Sequence, residues 1–297
     1  MPSVVALGFM DTKGGSIAGL LMATVLWGIS FPLGKALVGV VDPVFVVILR
    51  FGLGSAIVMS YLILKRKPIR KLFGSRILWI LGVTNGIGFA LEFYGLTMTS
   101  ASIASFLINV NVVFMAIFSA ILLKERITQK TLIGILFGLA GVFLITIGGD
   151  ISAITGSSAL GNLIILAAGI VWAYSNIYNK KAVTELNLTP MEVTESMIFI
   201  SFLAVVPLTL ITDTLFAITP FTVGSMIYLT VFCTILGFYI FYLALRKLTV
   251  VNAGLVLLFE IVVAVTTSFI FLGETIPPLG LMGGILIAIS ILLASRV

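Results

Sequence analysis

Ten stretches of this chain are each apolar for about twenty residues, the length a helix needs to cross the hydrocarbon core of a bilayer. They run roughly over 17–39, 43–64, 76–98, 101–123, 131–148, 159–179, 190–211, 223–245, 251–272 and 278–295. The linkers between them are too short to hold a soluble domain. Only 9% of the 297 residues are charged, against roughly 25% in soluble domains. Such a chain cannot cover itself with a charged surface, so lipid is its solvent. The expected fold is an all-α polytopic membrane protein of ten transmembrane helices. No cleavable leader is expected, because the first apolar run begins near Ile17 and is long enough to span.

The chain is written twice. Leu96 falls on Leu245, Glu125 on Glu274 and Gly134 on Gly283, all at an offset of 149, while Trp27 falls on Trp172 and Lys35 on Lys180 at an offset of 145. A constant offset over half the length is an internal duplication. It divides the chain into residues 1–150 and 151–297, five spans each. An odd number of spans sets the two halves in opposite senses. That is the inverted-repeat plan of secondary transporters, whose site lies near the midplane between the halves.

Positive residues stay cytoplasmic. The second linker carries Lys65, Arg66, Lys67, Arg70, Lys71 and Arg76 and is therefore inside. Alternation then places Lys13, Lys124, Arg126, Lys130, Lys180, Lys181, Arg246, Lys247 and Arg296 inside as well, 15 of the 17 basic residues in all. The outer loops receive Asp42, Asp150, Asp213 and Glu274, and both termini are cytoplasmic. Because the basic residues serve orientation, the net charge of +6 does not indicate a nucleic-acid partner. The chain has no histidine and shows no clustered metal ligands. Its single cysteine, Cys233, lies in an apolar run, and there is no Walker-type phosphate loop. Gly148-Gly149-Asp150 reads as an outer loop. No cofactor, no metal and no enzymatic activity are expected.

The run Trp27-Gly28-Ile29-Ser30-Phe31, followed by Lys35, Pro43 and Arg50, resembles the first-helix pattern of the drug/metabolite transporter superfamily. Lys124-Glu125-Arg126-Ile127 and Gly273-Glu274-Thr275-Ile276 resemble the "GER-L" turn of its EamA-type branch, with Lys124 where the pattern has glycine. Leu258-Phe259-Glu260 resembles that branch's "LEP", with Ile261 in place of the proline. The resemblance covers nearly the whole chain. It implies two inverted five-helix halves and export of small metabolites such as amino acids; it does not name the solute.

Ionisable groups inside spans are costly and mark function. Three stand out: Arg50, Glu92 and Glu260. Arg50 and Glu92 fall at similar depth, as a gate, as a substrate clamp, or as an ion pair that only joins two helices. Glu260 reads as a substrate-amine or proton site, or as a buried carboxyl that desolvation keeps neutral. Asn109 and Asn111 can bond substrate or a neighbouring helix, and in a regular helix they point about 200° apart. Trp27 with Phe31, Trp172, Tyr174 with Tyr178, and Tyr239 with Tyr242 suggest an aromatic-lined cavity or ordinary packing. Asn176 and Lys35 complete the candidates. Pro32 is expected to kink the first helix. Gly134/Gly138 and Gly280/Gly284 are small-xxx-small pairs that allow close helix approach within one protomer or across a dimer.

The function expected is a secondary transporter in a prokaryotic inner membrane. It would move a small metabolite such as an amino acid by alternating access, as a monomer or homodimer. A nucleotide-sugar or sugar-phosphate carrier and a small-drug exporter are alternatives within the superfamily. A membrane scaffold is the alternative outside transport.

Overall fold

The computed structural model describes residues 10–148, 158–212, 216–276 and 278–295. Asp150, Asp213, Arg296, the stretch at Gly149 and the expected boundary between the halves lie outside them. Ten helical spans follow in order: α1 (Lys13–Leu37), α2 (Pro43–Leu64), α3 (Arg76–Leu96), α4 (Ala101–Leu123) and α5 (Gln129–Ile147) form the first half. The second half comprises α6 (Ala159–Thr184), α7 (Pro190–Leu210), α8 (Pro220–Leu245), α9 (Val250–Leu272) and α10 (Gly280–Ser295). Among the described residues nine helices are long and apolar enough to cross a membrane, and α10 adds 16 apolar residues.

Each of the first nine helices begins where the sequence offers an oxygen to the orphan amides of its first turn. Thr12, Asp42, Ser75, Ser100, Thr128, Ser158, Thr189, Thr219 and Thr249 all cap in this way. Proline follows the cap in α2, α7 and α8, where its missing N–H costs nothing. Burial is inverted relative to a water-soluble protein. Leu64, Leu281 and Phe271 are exposed, whereas Arg50, Glu92, Glu195 and Glu260 are buried. An apolar exterior of this kind suits hydrocarbon rather than water.

The halves interlock by equivalent helices. In one direction α1 lies along α8, and in the other α6 lies along α3, while α2 meets α7 and α5 meets α10. α5 crosses α10 closely. A Cβ on Gly141 would sit 2.6 Å from the Gly283 carbonyl oxygen. Gly134 also faces α10, whose Ser290 hydroxyl donates to its carbonyl (2.7 Å). These contacts lie within one chain. Of the expected pairs, a Cβ on Gly138 would collide with Leu258 while one on Gly284 would meet nothing within 4 Å, and the close approach at Gly141 is one the i, i+4 spacing does not select.

Two equivalent helices are interrupted. α4 breaks at Val110 between Asn109 and Asn111, and α9 breaks at Leu258 just before Phe259. The break in α9 forms with Ile261 where the family pattern has proline; the Ile261 amide bonds three residues back to Leu258 (3.2 Å). α1 runs through Pro32 as one helix. α8 carries a π-helical stretch over Tyr228–Leu236 and α4 a shorter one over Ser119–Leu123. At the end of α4, Lys124 takes the left-handed conformation (φ 55°), and at the end of α9 Gly273 does the same (φ 67°).

Candidate functional site

Glu125 and Glu274 follow these left-handed residues and reach into the opposite half. Glu274 accepts from the backbone amides of Ala101 (3.1 Å) and Ser102 (3.2 Å) and from the Ser102 hydroxyl, so it caps the start of α4. Glu125 accepts from the Val250 amide (3.2 Å) at the start of α9 and from Ser119 on its own helix. A carboxylate at a helix N-terminus is favoured by the amides and by the helix dipole. Each of α4 and α9 therefore starts where the other ends, and the two equivalent helices run antiparallel. Lys35 and Lys180 act at the same two ends. Lys35 Nζ donates to the Leu96 carbonyl (2.7 Å), and Lys180 Nζ donates to those of Leu245 (2.7 Å) and Leu248 (2.8 Å).

Between these ends lies a cavity lined by helices of both halves. Trp27, Ser30 and Phe31 come from α1, and Asn85, Phe89 and Glu92 from α3. Ile108, Asn109 and Asn111 line it from α4 and Trp172, Ser175, Asn176 and Asn179 from α6. α8 gives Phe238 and Phe241, and α9 gives Leu257 and Glu260. Both carboxyls are deeply buried, Glu92 at 3% exposure and Glu260 at 9%. Glu92 Oε2 has no hydrogen-bond partner.

Eight of the fourteen candidates named from sequence reach this lining: Trp27, Phe31, Glu92, Asn109, Asn111, Trp172, Asn176 and Glu260. The interruption of α4 at Val110 lies between two of them, Asn109 and Asn111. The other six lie elsewhere. Lys35 caps the end of α3. The Tyr174 and Tyr178 hydroxyls bond each other (3.0 Å). Tyr239 is half-buried outside the lining. Tyr242 is fully buried and supports the site from behind, its hydroxyl donating to Asn179 Oδ1 (2.9 Å). Arg50 makes no hydrogen bond to Glu92: Nε donates to Thr234 (2.5 Å), both terminal nitrogens lack partners, and the guanidinium carbon lies 4.2 Å from the Phe89 ring centroid. Of the readings open for these two residues, the ion pair joining the two helices is therefore not formed. A further buried carboxyl, Glu195 in α7, was missed; it lies 3.9 Å from Lys67.

The residues the sequence reading missed carry a periodic signal. Asn85, Phe89 and Glu92 stand at i, i+4 and i+7, one face of α3. Trp172, Ser175, Asn176 and Asn179 repeat that face on α6. Extending each face from its one conspicuous residue would have found them. Each tryptophan also nests on a glycine of the opposite half. A Cβ on Gly237 would lie 2.8 Å from Trp27 Nε1, and a Cβ on Gly88 would collide with Trp172 Nε1.

The EamA-like transporter family model matches residues 15–147 and again 159–296. The chain belongs to that family. The two matched segments correspond to the two halves that interlock around the cavity, and the EamA protein described here is a multi-pass membrane transporter. It is 28% identical to the uncharacterized transporter YyaM of Bacillus subtilis over 94% of this chain and 92% of that protein. It is also 28% identical to a protein of Salmonella typhimurium named "Probable amino-acid metabolite efflux pump", over 94% of this chain and 93% of the other. A protein of known crystal structure superposes with a TM-score of 0.76 at 17% identity, covering 95% of this chain and 98% of that one. That likeness concerns the fold alone.

Proposed function

We propose that this EamA protein is a secondary transporter that exports a small amine-bearing metabolite across the inner membrane by alternating access. The observation that carries the reading is the cavity itself. Equivalent helices of both halves build it, and it holds two buried carboxyls, one with an oxygen that nothing in the protein bonds. A buried carboxylate must be paired, hydrated or neutralised, and a bound amine would pair it. Residues 1–150 and 151–297 would rock about this site, with both termini cytoplasmic as the basic residues require. Relatives named amino-acid metabolite efflux pumps support the outward direction and a cargo that bears an amine.

Nucleotide-sugar or sugar-phosphate cargo is disfavoured, because the lining contains no lysine or arginine. A scaffold would have no use for an unpaired carboxyl beside an internal cavity. Counterflow of labelled amines in proteoliposomes tests transport. Glu260→Gln should fold normally and lose most of the flux; wild-type flux in that variant would remove Glu260 from the site. Labelling a cysteine placed at Ser75, in a chain lacking Cys233, with an impermeant thiol reagent should succeed only from the cytoplasmic side.

A further inference from the structure

We infer that the cargo is an organic cation with an apolar face, an amine or quaternary ammonium that carries no carboxylate of its own. The inference rests on the reading of the cavity as the transport site and narrows its cargo. The charge of the lining is one-sided: Glu92 and Glu260 belong to it and no basic residue does. A zwitterion placed there would bring a carboxylate beside two others, with no cation to meet it. Arg50 is the basic residue nearest to that role, but its guanidinium packs on the Phe89 ring, and Phe89, not Arg50, faces the cavity.

The amides of the lining point the same way. A bound carboxylate needs a cation or several donors, and the amides of Asn85, Asn109 and Asn179 are already bonded, which leaves neutral groups such as Trp172 Nε1 and Ser175 Oγ. Asn85 Nδ2 donates to Ser201 Oγ (3.1 Å) and Met197 Sδ (3.1 Å). Asn109 Nδ2 donates to the Ser105 carbonyl (2.9 Å) and Asn179 Nδ2 to Asn176 Oδ1 (3.0 Å). The carbonyl oxygens of Asn85 and Asn109 receive no bond in return, which leaves acceptors for an ammonium. The unbonded Oε2 of Glu92 is a further acceptor, and a charged one.

Aromatic rings supply the rest of the recognition. Trp27, Phe89, Trp172 and Phe238 all line the cavity, and the face of an aromatic ring attracts a cation held within about 6 Å of its centre. The same rings would cover an apolar body attached to the ammonium.

Three probes that share a phenyl ring and differ in charge test the inference: phenethylamine, phenylalanine and 3-phenylpropionate. Trp79 lies outside the cavity and is 40% exposed, so in a Trp79→Phe background the fluorescence of Trp27 and Trp172 reports binding at the site. Phenethylamine should bind at least tenfold more tightly than phenylalanine, and 3-phenylpropionate should not bind. Glu92→Gln and Glu260→Gln should each reduce that preference at least tenfold. Proteoliposomes should exchange benzyltrimethylammonium, a permanent cation that does not leak through lipid, in preference to phenylalanine. Equal or tighter binding of phenylalanine would overturn the inference, as would unchanged phenethylamine binding in both variants. Exchange of phenylalanine but not of the quaternary cation would overturn it while leaving transport standing. Tight cation binding with no exchange of any solute would sink transport and leave the cation site.

Discussion

Glu125 and Glu274 hold the same place in their repeats, yet they grip the opposite half unequally. Glu274 takes two backbone amides and a hydroxyl from the start of α4. Glu125 takes one amide from the start of α9 and turns its other bond back to Ser119 in its own half. The tryptophans differ in a parallel way. Trp27 Nε1 donates to the Cys233 carbonyl (2.8 Å), which lies in the π-helical stretch of α8. Trp172 meets the regular helix α3, which uses its carbonyls internally, and its Nε1 has no partner. Duplication copies a side chain and its place in the chain. It does not copy the strength of the contact, because the partner across the interface has diverged separately. In this structure the end of the bundle at Glu274 is the more firmly closed of the two.

The largest test of this inequality is Glu274→Ala, which removes three bonds that a charged acceptor makes. It should cost about 3 kcal/mol of stability, read from unfolding in mixed micelles. Glu125→Ala should cost less, about 2 kcal/mol, because a single bond across the halves is lost. If Glu125→Ala proved the more damaging of the two, the comparison would be reversed.

Trp27→Phe should cost about 1.5 kcal/mol by stranding the Cys233 carbonyl. Trp172→Phe breaks no hydrogen bond and should leave stability nearly unchanged. Equal losses in the two variants would mean that the π-helical stretch of α8 makes no difference to its tryptophan. The smallest effect expected is a gain. Lys124 is exposed and adopts a left-handed conformation that its glycine counterpart Gly273 takes without strain. Lys124→Gly should stabilise the chain by about 1 kcal/mol, and a loss would show that the lysine side chain contributes more than its backbone costs.

Much of the fold was legible because lipid leaves few options. A backbone that crosses hydrocarbon must satisfy its own polar groups, so runs of about twenty apolar residues become helices. The capping residues lie at the starts of those runs. The candidate site was legible only in part. Polar residues such as Glu92, Glu260 and Asn111 stand out against apolar surroundings, whereas Phe89, Phe238 and Phe241 look like any other lipid-facing or core residue. Arg50 and Glu92 fall at similar depth, but depth along two helices says nothing of how each helix is rotated about its axis.

By itself the sequence determined the spans, their caps, the duplication and the set of polar groups that must be buried, because these depend on local composition and on the thickness of a bilayer. Tertiary structure alone decided which of those groups meet. The rotation of each helix is set by close contacts such as Gly141 on Gly283. The neighbours of a residue also come from the half that runs the other way. That is why Arg50 lies against the Phe89 ring instead of bonding Glu92, and why Lys35 and Lys180 cap helix ends rather than meet the cargo.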